Sequence, residues 1–185
     1  MKRLRVVGGS VGGRRLVSPR SAARPTTDRC KEALFSVLGA RATDAVVLDL
    51  YAGSGALGIE AMSRGATRAV FVDDDQSATV AIRANLEATG FTDVAHVARA
   101  SVRSFLARGA PEEPFDLVLL DPPYDTPNGE VTHVLEALAA PGWLAGGAAI
   151  VIERAKAMEP PALPPGWTTE FRRSYGDTLL LIASP

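Results

Sequence analysis

From residue 45 onward the chain alternates short aliphatic runs with longer amphipathic stretches, and this alternation limits its possible folds more than any other feature. Residues 46–50, 69–73, 94–98, 115–120 and 148–153 read as strands buried on both faces, with helices in the segments between them. That pattern predicts a parallel α/β sheet covered on both sides. Toward the end, residues 167–173 and 178–183 are separated by a few residues around Gly176 and read as a closing antiparallel pair. A proline-rich link, PPALPP, occupies residues 160–165. At 185 residues the chain is one domain in size.

The start of the chain has a different character. Two β-prone runs, residues 4–7 and 14–17, flank Gly8, Gly9, Gly12 and Gly13, a pattern that predicts a small hairpin. Residues 27–38 carry apolar side chains at 30, 34, 37 and 38, which is helical spacing, with Thr27 or Asp28 as the cap and Gly39 as the stop. Residues 1–40 therefore read as a basic hairpin-and-helix extension, and residues 41–185 as the main α/β domain.

The formal net charge of −1 conceals an asymmetry. Residues 1–31 hold nine Lys or Arg against Asp28, a balance of +8, so the remainder sums to −9. A cationic segment on an acidic body suits docking on a polyanion, because each phosphate neutralised releases counterions. The competing interpretation is a solvated basic tail. No run of about 20 apolar residues is present to span a membrane. The single cysteine, Cys30, excludes an internal disulfide framework, and the first residues lack the apolar core of a signal peptide. The expected location is cytoplasmic. His96 and His133 have no metal-ligand spacing, no metal is expected, and Trp143 and Trp167 read as packing residues.

Three motifs carry chemistry. In VVLDLYAGSGALG a strand runs into Gly53, Gly55 and Gly58 and a helix follows, so backbone and ligand can approach closely at the carboxyl end of the sheet. A G-x-G-x-x-G string alone is shared with dinucleotide-binding proteins. Asp49, four residues earlier, would repel a pyrophosphate but suits the cationic amino-acid end of S-adenosylmethionine. Asp73, the last residue of the next strand, is placed to accept ribose hydroxyls, while the run Asp73-Asp74-Asp75 also fits a helix cap.

The third motif is DPPY, Asp121 to Tyr124, directly after the apolar strand FDLVLL. Consecutive prolines hold an extended loop and leave carbonyls facing outward. An exocyclic base amine is a poor nucleophile because its lone pair is delocalised. Hydrogen bonds from its N–H groups to the Asp121 carboxylate and the Pro122 carbonyl would hold and aim it, with Pro123 stiffening the loop and Tyr124 stacking on an extruded base. These residues are also compatible with methylation of adenine N6 in DNA, with an NAD-linked oxidoreductase, which Asp49 and DPPY disfavour, and with a non-catalytic RNA-binding module.

The segments RVVGGSVGGRRL, RPTTDRCKEALFSVL, DLYAGSGALGIEAMSRGA, DPPY and YGDT, together with Asn85, closely resemble the bacterial RsmD family of 16S rRNA guanine-N2 methyltransferases along nearly the whole chain. The resemblance implies a Rossmann-like class I methyltransferase with a seven-stranded, mostly parallel sheet and an antiparallel last strand. It implies transfer from S-adenosylmethionine to one guanine of 16S rRNA within an assembling small-subunit ribonucleoprotein, by a monomer. By position, Asp49, Ala52, Gly53, Ser54 and Gly55 are expected on the methionine side of the cofactor, Asp73 and Asp74 at the ribose, Ser101 and Val102 at the adenine, and Asp121 beside the methyl. Ser101-Val102 departs from the family's Asp or Asn followed by a small residue, and Cys30 stands where an aliphatic residue is usual. RNA contacts are expected from Arg5, Arg14, Arg15, Arg24, Thr26, Thr27, Arg29 and Lys31.

Overall fold

The computed structural model of the chain describes residues 4–20 and 27–185. Seven strands form one sheet: β1 (Val46–Leu50), β2 (Arg68–Asp73), β3 (Ala95–Arg99), β4 (Phe115–Leu120), β5 (Leu144–Ala155), β6 (Thr168–Tyr175) and β7 (Thr178–Ser184). Their spatial order is β3-β2-β1-β4-β5-β7-β6. Neighbours from β3 through β5 are parallel, and β7 runs antiparallel to both β5 and β6. The helices are α1 (Asp28–Leu38), α2 (Ala56–Ser63), α3 (Gln76–Thr89), α4 (Val102–Leu106) and α5 (Asn128–Leu138). The strand order changes direction between β1 and β4, so the glycine loop after β1 and the DPPY loop after β4 emerge side by side.

The period of two along each strand divides the core into two layers. On one face Val47, Phe71, Leu117, Leu119 and Val151 join Ile59, Ile82 and Leu86 of α2 and α3. On the other, Leu48, Leu50, Val72, Val118 and Leu120 pack with Val131, Leu135 and Leu138 of α5. Trp143 packs there too, its ring 5.9 Å from Phe105 and 6.4 Å from Phe115 between centroids. Burying each large aliphatic or aromatic side chain contributes roughly 1.5–3 kcal/mol.

Thr27 caps α1 by accepting from the Cys30 amide, and Gly39 ends the helix at φ 55°. The buried face of this helix differs from the expected one. Phe35 and Lys31 turn inward with Cys30, Leu34 and Leu38, whereas Val37 is 44% exposed. The hairpin forms around an Arg5–Arg15 bridge, with Val6 N donating to Arg14 O and Leu16 N to Leu4 O. Leu4, Val6 and Leu16 belong to the same apolar layer as the sheet.

The hairpin is also bound to α2 by polar contacts. The Glu60 carboxylate, fully buried, accepts from the Val7 and Gly8 amides at 2.6 and 2.9 Å and from Arg64 Nε at 2.9 Å. Ser63 Oγ donates to Gly8 O and accepts from Val11 N. Gly9 sits at φ 80°, where an added Cβ would lie 1.9 Å from the Ser63 carbonyl oxygen, so only glycine lets the hairpin approach α2 this closely.

Candidate active site

A cleft of about 470 Å³ opens at the carboxyl ends of β1, β2, β3 and β4. It is lined by Asp49, Ala52, Gly53, Ser54, Asp73, Asp74, Ser101, Val102 and all four residues of the DPPY loop. Residues from four separate strand ends are thereby brought to one place. Gly55 is not on the wall. At φ 74° it is the N-cap of α2, and its role is to turn the chain from loop into helix.

Asp49 is wholly buried, and its Oδ2 accepts from the Gly58 amide at 2.9 Å. Loss of solvent pushes its carboxyl well above the ordinary range, a shift only partly countered by the Gly58 hydrogen bond and reinforced by the charges of Asp121 and Asp73. Asp73 accepts from Gly53 N at 2.8 Å and from Asp75 N at 2.9 Å, so it braces the glycine loop. Its carboxyl is also raised, again chiefly by desolvation. Asp75 is the N-cap of α3, accepting from Ser77 N at 2.8 Å. Ser101 caps α4 through Ser104 N.

In the DPPY loop Pro122 is buried, Asp121 is partly buried and Tyr124 is 39% exposed. The loop is closed by Thr126 N donating to Pro123 O at 2.9 Å. Behind it lies Arg154 at the end of β5, 1% exposed, whose Nη2 donates to Thr126 O and to Asn128 Oδ1. Its Nε and Nη1 meet no hydrogen-bond acceptor among the described residues.

Several residues of the site carry no signal in the local sequence. Tyr51 lies on the cleft wall at φ 59°, a left-handed conformation uncommon outside glycine. Burial, followed by the nearby Glu130 charge, pushes its phenol up to about 12. Glu130 lies on the same wall, in the first turn of α5. Ser18 and Pro19 also line the cleft, brought there by Asn85. That buried side chain accepts from Val17 N at 2.8 Å and donates to both Val17 O and Ser54 O, tying the chain after the hairpin to the glycine loop. Asn85 was legible as a family residue, but its partners were not.

The candidate RNA-contacting residues are placed unequally. Arg14, Arg15 and Arg29 are exposed, and Arg5 is exposed while paired with Asp28 at 2.9 Å. Thr27 is occupied as the cap of α1, and Arg24 and Thr26 lie outside the described residues. Lys31 is a correction. Its ammonium is fully buried, donates to the Arg5 carbonyl and lies 4.0 Å from Glu60, so it braces the hairpin from within and offers nothing to a phosphate at the surface. Desolvation lowers its pKa. Among the described residues no group of His, Cys, Asp and Glu forms a metal site, and no helix is long and apolar enough to cross a membrane.

The family described as conserved hypothetical protein 95 matches residues 4–184. The ribosomal RNA small subunit methyltransferase D of Escherichia coli K12 is 38% identical over 174 residues, covering 94% of this chain and 85% of that protein. The protein of the same name from Haemophilus influenzae is 34% identical over 175 residues, covering 94% and 89%. Among solved structures, the E. coli methyltransferase yhhF superposes with a TM-score of 0.86 at 34% identity, covering 98% of this chain and 97% of that one.

Proposed function

The chain belongs to the RsmD family, and from that premise we propose that it transfers the methyl group of S-adenosylmethionine to the exocyclic N2 amine of a guanine in small-subunit ribosomal RNA. The observation that carries this reading is one acidic cleft in which the glycine loop and the DPPY loop face the same space. The residues present fit such a cofactor. Asp49 is a buried carboxylate in a cleft also lined by Asp73, Asp74, Asp121 and Glu130, and a bound cation relieves the cost of its ionisation. When bound, S-adenosylmethionine supplies an electrophilic methyl on a positively charged sulfur.

The chain's own residues do the rest. Asp49 would hold the ammonium end of the cofactor, and Asp73, which keeps lone pairs beyond its two backbone bonds, would accept from the ribose hydroxyls. Asp121 and the Pro122 carbonyl accept the two amine hydrogens of the target base and fix its lone pair toward the methyl, while Tyr124 stacks on the ring. Asp121 is an orienting acceptor, since a carboxylate does not strip a neutral amine; the surplus proton leaves after transfer. No covalent enzyme intermediate is needed. Cys30 is buried and its thiol is pushed up to about 12, chiefly by desolvation, so it is not a nucleophile.

Arg14, Arg15 and Arg29 would follow the RNA backbone and supply affinity, leaving choice of the base to RNA shape and the cleft. The substrate is then rRNA in an assembling ribonucleoprotein, met by a monomer in the cytoplasm. The test is to incubate the protein with labelled S-adenosylmethionine and small subunits lacking their native methylation, digest the RNA and identify the labelled nucleoside. N2-methylguanosine at one position is expected, and lost in Asp121→Ala with RNA binding retained. Label on adenine N6, or an Asp121→Ala protein as active as the wild type, would overturn the reading.

A further inference from the structure

We infer that Glu130, which shares the cleft wall with Tyr51, reads the N1–H of the acceptor base and so makes the cleft selective for guanine. The inference rests on the proposed transfer to guanine N2 and adds the residue that chooses the base. Along its Watson–Crick edge guanine presents the N2 amine, then the N1–H donor beside it, then the O6 acceptor. Extruded bases are recognised on this edge. If Asp121 and Pro122 hold N2, the neighbouring N1–H needs its own acceptor on the same wall, because an unmet donor in a desolvated pocket is costly.

Glu130 is the carboxylate positioned for this. It lines the cleft with Asp121, Pro122 and Tyr124, and it follows the DPPY loop directly, in the first turn of α5. At the start of an 11-residue helix a negative charge is favoured by the helix dipole. Tyr51 lines the same wall, and with its phenol pushed up to about 12 by burial and then by the Glu130 charge it stays protonated throughout the working pH range, a donor available to this carboxylate. A carboxylate has two oxygens, so one taken up by a Tyr51 hydroxyl would leave the other to accept from the base.

The wall is held firmly. Tyr51 reaches its position only by the left-handed backbone at φ 59°, and Arg154 ties Thr126 and Asn128 together beneath the chain joining Tyr124 to α5. Adenine and 2-aminopurine place a lone pair at N1, which meets the Glu130 carboxylate as repulsion. Glu130 is therefore the specificity residue and Tyr51 a positioning residue.

The test uses small-subunit rRNA with the acceptor guanine replaced by 2-aminopurine, which keeps the N2 amine and loses the N1–H. The wild-type protein should prefer guanine by about 10- to 100-fold in kcat/KM, the range of a hydrogen bond to a charged group. In Glu130→Gln, whose amide can donate to a ring lone pair, guanine turnover should fall about 10-fold or more and the preference should collapse toward unity. Tyr51→Phe should reduce the same preference several-fold. S-adenosylhomocysteine affinity should stay within twofold in both variants, which also establishes that they are folded. An unchanged guanine to 2-aminopurine ratio in Glu130→Gln overturns the assignment, as does a loss confined to S-adenosylhomocysteine binding. A wild-type protein that labels no guanine instead overturns the parent reading, a distinct outcome.

Discussion

Gly58→Ala sets two known effects against each other at a single atom. Gly58 lies inside α2, where replacing glycine by alanine ordinarily gains about 1 kcal/mol of helix stability. Here the added Cβ would sit 2.4 Å from Phe71 Cε1, 2.8 Å from Phe71 Cζ and 2.9 Å from Asp49 Oδ2. Phe71 and Asp49 are both buried, so neither neighbour is a flexible end that can swing away into solvent. Overpacking of this kind costs about 1–3 kcal/mol, more than the helix gain in most of that range, and the expected net loss is about 1 kcal/mol. For a chain of this length that lowers Tm by about 2–4 °C. A second loss follows from the first, since relief requires movement of the Asp49 carboxylate that Gly58 N also holds. Urea denaturation with and without S-adenosylhomocysteine separates the two: the ligand should stabilise the wild-type protein by about 2.7 kcal/mol at a hundred times Kd and the variant by clearly less. A variant that melts higher than wild type and gains as much from ligand would show that Phe71 and Asp49 do not confine this position.

Asp49→Asn should abolish cofactor affinity yet stabilise the unliganded protein at neutral pH. The folded pKa of Asp49 lies above its unfolded value, so its favourable protonated state is fully present below the unfolded pKa and lost as pH rises through the folded one. Wild-type stability should fall with pH across that interval more steeply than the variant's, and equal slopes would contradict the shift. Glu60→Gln removes the fully buried carboxylate beside the Lys31 ammonium, leaving only the partly exposed Asp28 at 3.9 Å, and should cost about 3 kcal/mol in urea melts. Adding Lys31→Met should recover most of that, and additive losses would argue against the pair. Replacing Arg14 and Arg15 by alanine should lower the slope of log affinity against log salt by about 1.4 for single-stranded RNA, read by titration at several salt concentrations.

The sheet was legible because its strands are aliphatic runs buried on both faces, and residues 46–50 and 115–120 end where the sequence places them. Strand β5 begins earlier than residue 148 because Leu144 pairs with Phe115, before a register shift that takes the ladder on to Leu117 and Ala149 past Gly146 and Gly147. Periodicity put Val37 inside α1, but the hairpin packs against the face carrying Lys31 and Phe35, a tertiary fact no local window contains. Asp49, Asp73 and DPPY were readable because a strand end fixes where their side chains emerge. Tyr51 and Glu130 were not. One depends on a left-handed backbone that tyrosine does not advertise, and the other on how the turn after DPPY directs α5. Charge alone assigned Lys31 to the surface, where its four-carbon stem and the Glu60 carboxylate instead permit burial.

Strand β6 touches the sheet only through β7, which comes later in the chain. The sheet therefore cannot be completed in the order in which it is synthesised. Until residues 178–184 are available, the β5 edge with Ile150, Val151 and Ile152 has no partner on that side, a row of unpaired backbone groups on apolar sequence. Strands β6 and β7 meet across the turn at Gly176 and can pair locally within microseconds, so the topology lets this hairpin form first and dock on β5 by its second strand. Premature release or slow synthesis at this point would leave a species with an intact glycine loop and an adhesive edge, and it is there that a chaperone would be needed most.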